Sequence, residues 1–252
     1  MRKSIRRINM KAVSLDKLKL KIYADGADLD RIKLFYDNPL IKGFTTNPTL
    51  MKKNGINNYE DFAKNILNIV KDKPISFEVF ADETNSIIEQ AKYISSWGSN
   101  VYVKIPVTNT KGDFLRSVIE TLSKDGVKLN ITAVFTYEQV EKIISALGGN
   151  TPSVVSIFSG RIADSGIDPV KHFIECKRSK NFKSNIEFLW ASPRELYNIY
   201  HAEEAGADII TISEELINKL QNIGKNLDEF SKETVKMFYN DALMAGYKLD
   251  IN

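Results

Sequence analysis

Lys104 stands in the middle of Val101-Tyr102-Val103-Lys104-Ile105-Pro106-Val107, where Val101, Val103, Ile105 and Val107 alternate along one apolar strand face. The opposite face carries the lysine. If both faces are covered, the ammonium is partly desolvated, which favours the neutral amine. An uncharged lysine attacks carbonyl carbons, the usual start of Schiff-base chemistry. On an exposed edge strand the same lysine would simply face solvent, so the elements around it decide its role.

A lysine nucleophile needs an acid/base relay to form and dehydrate a carbinolamine, and Glu78 and Thr132 could hold a water for this purpose. Breaking a carbon–carbon bond next to the imine requires a base for a hydroxyl, for which Asp25 is the candidate. Asn47 and Ser156 are candidates for hydrogen bonds to substrate hydroxyls. Arg161 and Arg194 each follow a β-rich run by a residue or two, near Ser156 and Ser192, and two such guanidinium forks suggest a phosphate. For either arginine alone, a surface ion pair is the competing reading.

These residues are spread over nearly the whole chain, and an alternation of elements is what could gather them. Short β-rich runs lie at Leu20–Asp25, Gly43–Asn47, Ile75–Phe80, Val101–Pro106, Leu129–Phe135, Ser153–Ser159, Ile186–Ser192 and Asp208–Ser213. Amphipathic stretches such as Thr84–Trp97, Phe114–Lys124, Tyr137–Leu147 and Arg194–Ala205 separate them, several closing at glycine, as at Gly98, Gly126, Gly148 and Gly206. Strand starts recur about every 22 to 33 residues, the size of one βα unit. Eight such units in about 250 residues predict a (β/α)8 TIM barrel. An open doubly wound sheet is the alternative, but no Gly-rich dinucleotide turn is present.

A closed barrel leaves no edge strand and turns one face of every strand to the lumen. Side-chain parity then sorts the residues. Opposite the apolar faces lie Asp25, Thr45, Asn47, Glu78, Lys104, Asn130, Thr132, Ser156 and Ser192, from seven strands and mostly late in each. Barrel active sites are built at that end. So many polar groups around one lysine are costly as core filling, because each needs a partner when buried. Parity also places Phe158 and Trp190 toward the lumen, where Trp190 either narrows the pocket or fills the barrel.

The bulk composition is that of an ordinary globular protein, with 43% hydrophobic and 27% charged residues among 252. No run approaches the roughly 18 apolar residues of a membrane span, and no membrane association is expected. The single cysteine, Cys176, excludes an internal disulfide and fits a reducing, cytoplasmic setting. Only His172 and His201 are present, so no zinc site or other metal is expected. Seven basic residues against Asp16 make positions 1–19 a basic extension, and residues 20–252 read as one barrel domain with an extra C-terminal helix. The arm could touch nucleic acid or anionic lipid, but a solvated extension or an end-closing helix is the reading adopted, with no nucleic-acid partner. Phe230, Met237 and Met244 recur every seven residues near the C-terminus, joined by Phe238 and Ala245 on a helical stripe.

The segments Ala24-Asp25, Gly43-Phe44-Thr45-Thr46-Asn47-Pro48, Val103-Lys104-Ile105-Pro106-Val107, Asn130-Ile131-Thr132, Ser156-Ile157-Phe158-Ser159-Gly160-Arg161-Ile162 and Ala191-Ser192-Pro193-Arg194 resemble the transaldolase family, in order across residues 20–213. The resemblance implies a class I, cofactor-free enzyme of sugar-phosphate metabolism such as the pentose phosphate pathway. Such enzymes move a dihydroxyacetone unit from a ketose phosphate to an aldose phosphate. By resemblance Lys104 is the Schiff-base lysine, Asp25 the acid/base, and Glu78 with Thr132 the water-holding pair. Thr45, Asn47, Asn130, Ser156 and Phe158 would line the substrate site, and Arg161, Ser192 and Arg194 its phosphate end. The related fructose-6-phosphate aldolases carry glutamine at the Glu78 position and tyrosine at the Phe158 position, which places this chain on the transferase side. The short members of the family extend a terminal helix onto a neighbouring subunit, so a homo-oligomer, of the size of a decamer, is expected.

Overall fold

Strand β1 (Lys21–Asp25) is hydrogen-bonded on one side to β2 (Ile41–Thr45) and on the other to β8 (Ile209–Ser213), so the sheet closes on itself. Between them run β3 (Ile75–Glu78), β4 (Val101–Pro106), β5 (Leu129–Val134), β6 (Ser153–Ile157) and β7 (Ile186–Trp190), all parallel and in chain order. The molecule, a computed structural model, is described over residues 14–148, 150–178 and 185–249. Helices alternate with the strands: α1 (Leu29–Tyr36), α2 (Pro48–Lys53), α3 (Tyr59–Ile69), α4 (Thr84–Ser95), α5 (Arg116–Lys124), α6 (Tyr137–Ala146), α7 (Ser159–Asp164), α8 (Pro169–Lys177), α9 (Asn198–Glu204) and α10 (Glu214–Lys219). This is a (β/α)8 barrel, and its strands start within two residues of the β-rich runs in the sequence.

The barrel occupies one compact unit, Leu18–Asn218, and the chain from Lys219 onward belongs to a second. That second unit contains the terminal helix α11 (Leu227–Met244), which has no buried residue. Most of the basic extension, residues 1–13, lies outside the described residues. Among the described residues, no helix is long and apolar enough to cross a membrane.

Local chemistry explains where elements begin. Thr136 and Gln139 form a reciprocal capping box that starts α6. Asp28, Asn58 and Asp168 each accept backbone N–H groups at the first turns of α1, α3 and α8. Between strands and helices the core is dry: Ile41, Phe44, Phe77, Phe173, Phe188 and Trp190 are essentially inaccessible. Burial of each such side chain contributes about 1.5–3 kcal/mol.

Inside the barrel, Tyr23, Val154, Leu189, Ala191 and Ile209 pack together with Tyr102 and Phe158. The Tyr23 ring lies directly on Gly43, where an added Cβ would sit 2.6 Å from the ring carbons, so only glycine fits there. This apolar plug closes the lumen beneath the polar layer.

Two parity assignments are corrected by the structure. Trp190 does not face the lumen; it is buried on the helix side and stacks on Phe173 of α8 at 5.5 Å. Leu189 and Ala191 face the lumen instead. Phe188, Leu189, Trp190 and Ala191 are all buried and apolar, so alternation there did not tell the two faces apart. Ser192 still reaches the lumen because the chain leaves β7 after Trp190 and Ser192 adopts a left-handed conformation, φ 60°. Ala133 also has positive φ, 57°, at an irregularity in the β5–β6 register. It lines the cavity beside Thr132, not the helix side where alternation had placed it.

Candidate active site

A cavity of about 520 Å³ opens at the C-terminal end of the barrel. Asp25, Thr45, Asn47, Glu78, Lys104, Asn130, Thr132, Ser156, Phe158, Arg161 and Ser192 all line it. Strand register does the gathering: Glu78 on β3 is aligned with Lys104 on β4, which is aligned with Asn130 on β5. Hence eleven of the twelve candidate residues meet in one cavity, although they span residues 25 to 192.

Lys104 is buried, with only 8% of its surface exposed. Its Nζ lies 3.0 Å from Glu78 Oε2 and donates to the Thr46 carbonyl oxygen at 3.0 Å. The amine is thus held between a carboxylate and a backbone carbonyl, two partners that the strand alternation did not reveal.

The top of the β2–β3 ladder explains this pairing. β2 and β3 pair only at Phe44–Ile75 and Thr45–Ser76. Beyond that point Thr46 gives both its N–H and its hydroxyl to the Ser76 carbonyl, at 3.1 and 2.9 Å. Its own carbonyl is thereby left to accept from Lys104. The backbone of Glu78 is taken by Tyr59 of α3, whose hydroxyl accepts from the Glu78 N–H and donates to its carbonyl, both at 2.8 Å. Tyr59 thus holds the end of β3, and with it the Glu78 carboxylate, against the lysine.

Asp25 is held differently. Its Oδ1 accepts from the Thr45 hydroxyl at 2.8 Å and its Oδ2 from Asn47 Nδ2 at 3.3 Å. Asn47 is itself fixed, because its Oδ1 caps α2 by accepting the Leu50 N–H at 2.9 Å and Pro48 occupies the first helical turn. The Thr-Thr-Asn-Pro run therefore builds a strand end, a helix start and a carboxylate clamp together. Burial pushes the Asp25 carboxyl above the usual carboxylate range, against Lys104 and the two hydrogen bonds, which pull it down, while Glu78 adds to the rise. A raised carboxyl suits a group that takes up and returns a proton.

On the far wall Ser156 donates to Asn130 Oδ1 at 2.6 Å, and Asn130 donates to the Ser76 hydroxyl at 3.0 Å. Thr132 is buried beside them. Toward the mouth, the Arg161 guanidinium lies 5.5 Å above the Phe158 ring. Gly160, just before it, packs so closely that a Cβ would sit 1.5 Å from the Ser192 carbonyl oxygen. Arg194 is the candidate residue that does not line the cavity: its half-exposed guanidinium pairs with Asp164.

Several residues of the site went unread in the sequence. Thr211 lines the cavity and its hydroxyl lies 2.5 Å from that of Thr45. The alternation of Ile210 and Ile212 with Thr211 and Ser213 carried that signal. Ser76 falls on the lumen parity together with Glu78, as alternation with Phe77 and Val79 places it, whereas Tyr59 lies on a helix and nothing in its spacing pointed to Glu78.

A lysine–carboxylate pair at the C-terminal mouth of a closed barrel is thus in place. The sequence model of the transaldolase/fructose-6-phosphate aldolase family matches residues 22–250. The chain belongs to that family. The probable transaldolase 2 of Listeria monocytogenes serovar 1/2a is 35% identical over 218 residues, covering 85% of this chain and 95% of its own length. The probable transaldolase of Thermoplasma volcanium is 36% identical over 196 residues, 77% of this chain and 84% of its own. That of Lactiplantibacillus plantarum is 37% identical over 204 residues, 80% and 88% respectively. Among solved structures, a dihydrodipicolinate synthase family protein from Coccidioides immitis superposes with a TM-score of 0.56 over 93% of this chain and 81% of its own. At 12% identity that likeness concerns the fold alone.

Proposed function

We propose that this member of the family is a transaldolase. It would move a dihydroxyacetone unit from a ketose phosphate, sedoheptulose 7-phosphate or fructose 6-phosphate, to an aldose phosphate through a Schiff base on Lys104. The observation that carries the reading is the buried Lys104 amine, 3.0 Å from Glu78, inside a cavity that also contains Asp25 and Thr132.

In this reading the neutral amine adds to the ketose carbonyl, and Glu78 with Thr132 directs the water through which the carbinolamine loses its hydroxyl. Asp25 takes the proton of the hydroxyl on the far carbon of the bond to be broken, the carbon that becomes the aldehyde. That bond cleaves, the aldehyde leaves, and its electron pair is stored as an enamine on the lysine. The acceptor aldehyde then receives the enamine carbon, and Asp25 returns its proton to the new hydroxyl. Water releases the product ketose and regenerates Lys104. Arg161 and Ser192 hold the phosphate end, with Asn47, Asn130, Thr45 and Ser156 facing the hydroxyls.

Phe158 and Glu78 favour transfer over release. Phe158 brings no hydroxyl into the cavity to protonate the enamine, so the intermediate waits for an acceptor. Trp190 faces the helices and leaves the cavity unaltered, which favours an ordinary aldose phosphate as acceptor. We place the enzyme in the cytoplasm, on the strength of its single, buried Cys176. We propose too that it is a homo-oligomer, of the size of a decamer. Phe230, Met237, Phe238 and Met244 of α11 are 40 to 80% exposed, an apolar stripe of the kind a second subunit covers.

Borohydride reduction in the presence of fructose 6-phosphate tests the reading. A reduced adduct on the peptide carrying Lys104 is expected, and an unmodified lysine sinks the mechanism. Turnover of fructose 6-phosphate alone, as fast as with an aldose phosphate acceptor, would instead identify a fructose-6-phosphate-type lyase. A phosphosugar-binding barrel would show neither adduct nor turnover.

A further inference from the structure

Thr211 on β8 is used by no step above, yet its hydroxyl is buried in the wall of the catalytic cavity, 2.5 Å from the hydroxyl of Thr45. Thr45 in turn donates to Asp25 Oδ1 at 2.8 Å. We propose that Thr211 is a positioning residue for Asp25, acting through Thr45 as the outer member of a two-hydroxyl relay whose direction follows the proton on the carboxyl.

The relay follows from hydrogen counting. A threonine hydroxyl has one hydrogen and two lone pairs. When Asp25 is ionised both its oxygens only accept, so Thr45 must spend its hydrogen on Oδ1. Thr45 can then only accept from Thr211, which fixes the order Thr211 to Thr45 to Asp25. When Asp25 has taken the substrate proton and turns its O–H to Thr45, the order reverses. Thr45 then donates to Thr211, and Thr211 offers its hydrogen to whatever fills the lumen. Both hydroxyls rotate in place and no heavy atom needs to move.

The register supports this geometry. β2 and β8 flank β1, with Tyr23 aligned to Gly43 on one side and to Thr211 on the other. Gly43 has no side chain and the Tyr23 ring fills its place, while Thr45, two residues on, meets Thr211. A chain of hydrogen bonds polarises its members, and the donor to an ionised acceptor is strengthened most. The charged groups facing Asp25 across the lumen are Lys104 on β4 and Glu78 on β3. On its other side, around a neighbouring cavity that Asp25 also borders, stand Asp28, Arg31, Lys53, Glu214 and Glu215. The relay and the Asn47 amide are the uncharged donors to Asp25 among them, and both favour the ionised form.

The proposal rests on Asp25 being the base, and its test separates the two. Thr211→Val keeps the shape and removes the hydroxyl, while Thr211→Ser keeps the hydroxyl. For Thr211→Val the acidic limb of the kcat/KM–pH profile for transfer should move to higher pH by about half to one unit, a loss of about 3- to 10-fold along that limb that disappears on the plateau above it. Thr211→Ser should restore the wild-type profile, and Lys104 trapping by borohydride should be unchanged in both. Should Thr211→Val not fold, Thr211→Cys, a weaker donor, should move the limb in the same direction by less. A profile that superimposes on wild type, or a loss independent of pH that serine does not rescue, overturns the relay. Asp25→Asn, measured alongside, reports on the base itself. If that variant turns over normally, base and relay fall together; if it is inactive and Thr211→Val is unshifted, only the relay falls.

Discussion

Gly160→Ala is the most informative perturbation of the proposed phosphate end of the site, because its effect can be worked from distances. A Cβ at this position would lie 1.5 Å from the Ser192 carbonyl oxygen and 2.5 Å from its carbonyl carbon. Non-bonded carbon–carbon contacts are comfortable at about 3.5–4.0 Å. The loop after β6 and the loop after β7 must therefore separate by roughly 2 Å, since the obstructing atoms are backbone and no rotamer relieves the overlap. The Gly160 N–H to Ala191 carbonyl hydrogen bond, 3.2 Å, joins the same two loops and is lost in the process. Overpacking of this kind costs about 1–3 kcal/mol, which lowers Tm by several degrees at roughly 2–4 °C per kcal/mol for a chain of this size. The kinetic effect is larger. Ser192 and Arg161 move apart, and a misplacement of about 1 Å in a positioning group costs about 100-fold. The loss should fall on kcat/KM for phosphorylated donors and much less on borohydride trapping of unphosphorylated dihydroxyacetone, which needs only Lys104. Full activity on fructose 6-phosphate in the alanine variant would refute the argument, because the phosphate would then be held elsewhere.

Three further outcomes are expected. Lys104→Met should abolish borohydride trapping and also lower stability by about 1–3 kcal/mol, because the Glu78 carboxylate loses its buried partner; urea denaturation checks the second half, and an unchanged midpoint would mean that the pair contributes nothing. Asp25→Asn should still form the imine but not cleave the sugar, and its stability relative to wild type should depend on pH. Folding raises the Asp25 carboxyl above its ordinary value of 3.8, so wild type loses stability as pH rises from that value through the folded one, and the variant does not. The difference in Tm should therefore grow in the variant's favour toward neutral pH and vanish below about 3.8; a difference that does not change with pH would contradict burial as the dominant influence. Glu78→Gln combined with Phe158→Tyr should raise the release of free dihydroxyacetone relative to transfer, measured by product ratio with and without aldose phosphate, and an unchanged ratio would remove the case for transfer.

The sequence by itself determined the eight strands, their parallel order and the closure of the barrel. Hydrophobic period and glycine stops are local signals, and eight βα units in a row have few ways to bury their faces. It determined most of the candidate site for the same reason: on strands whose polar members share one parity, such as those of Lys104 and Glu78, parity decides which way the side chain points. Tertiary structure decided the rest, wherever a neighbour rather than a period sets direction. From Phe188 to Ala191 every residue is buried and apolar, so packing against Phe173 turned Trp190 outward, and a left-handed turn brought Ser192 in. Which carboxylate meets the amine was settled by the short β2–β3 ladder and by Tyr59, a helix residue with no periodic link to Glu78. The Thr211–Thr45 contact exists because closure sets β2 and β8 on either side of β1, bringing together hydroxyls 166 positions apart that no local pattern links.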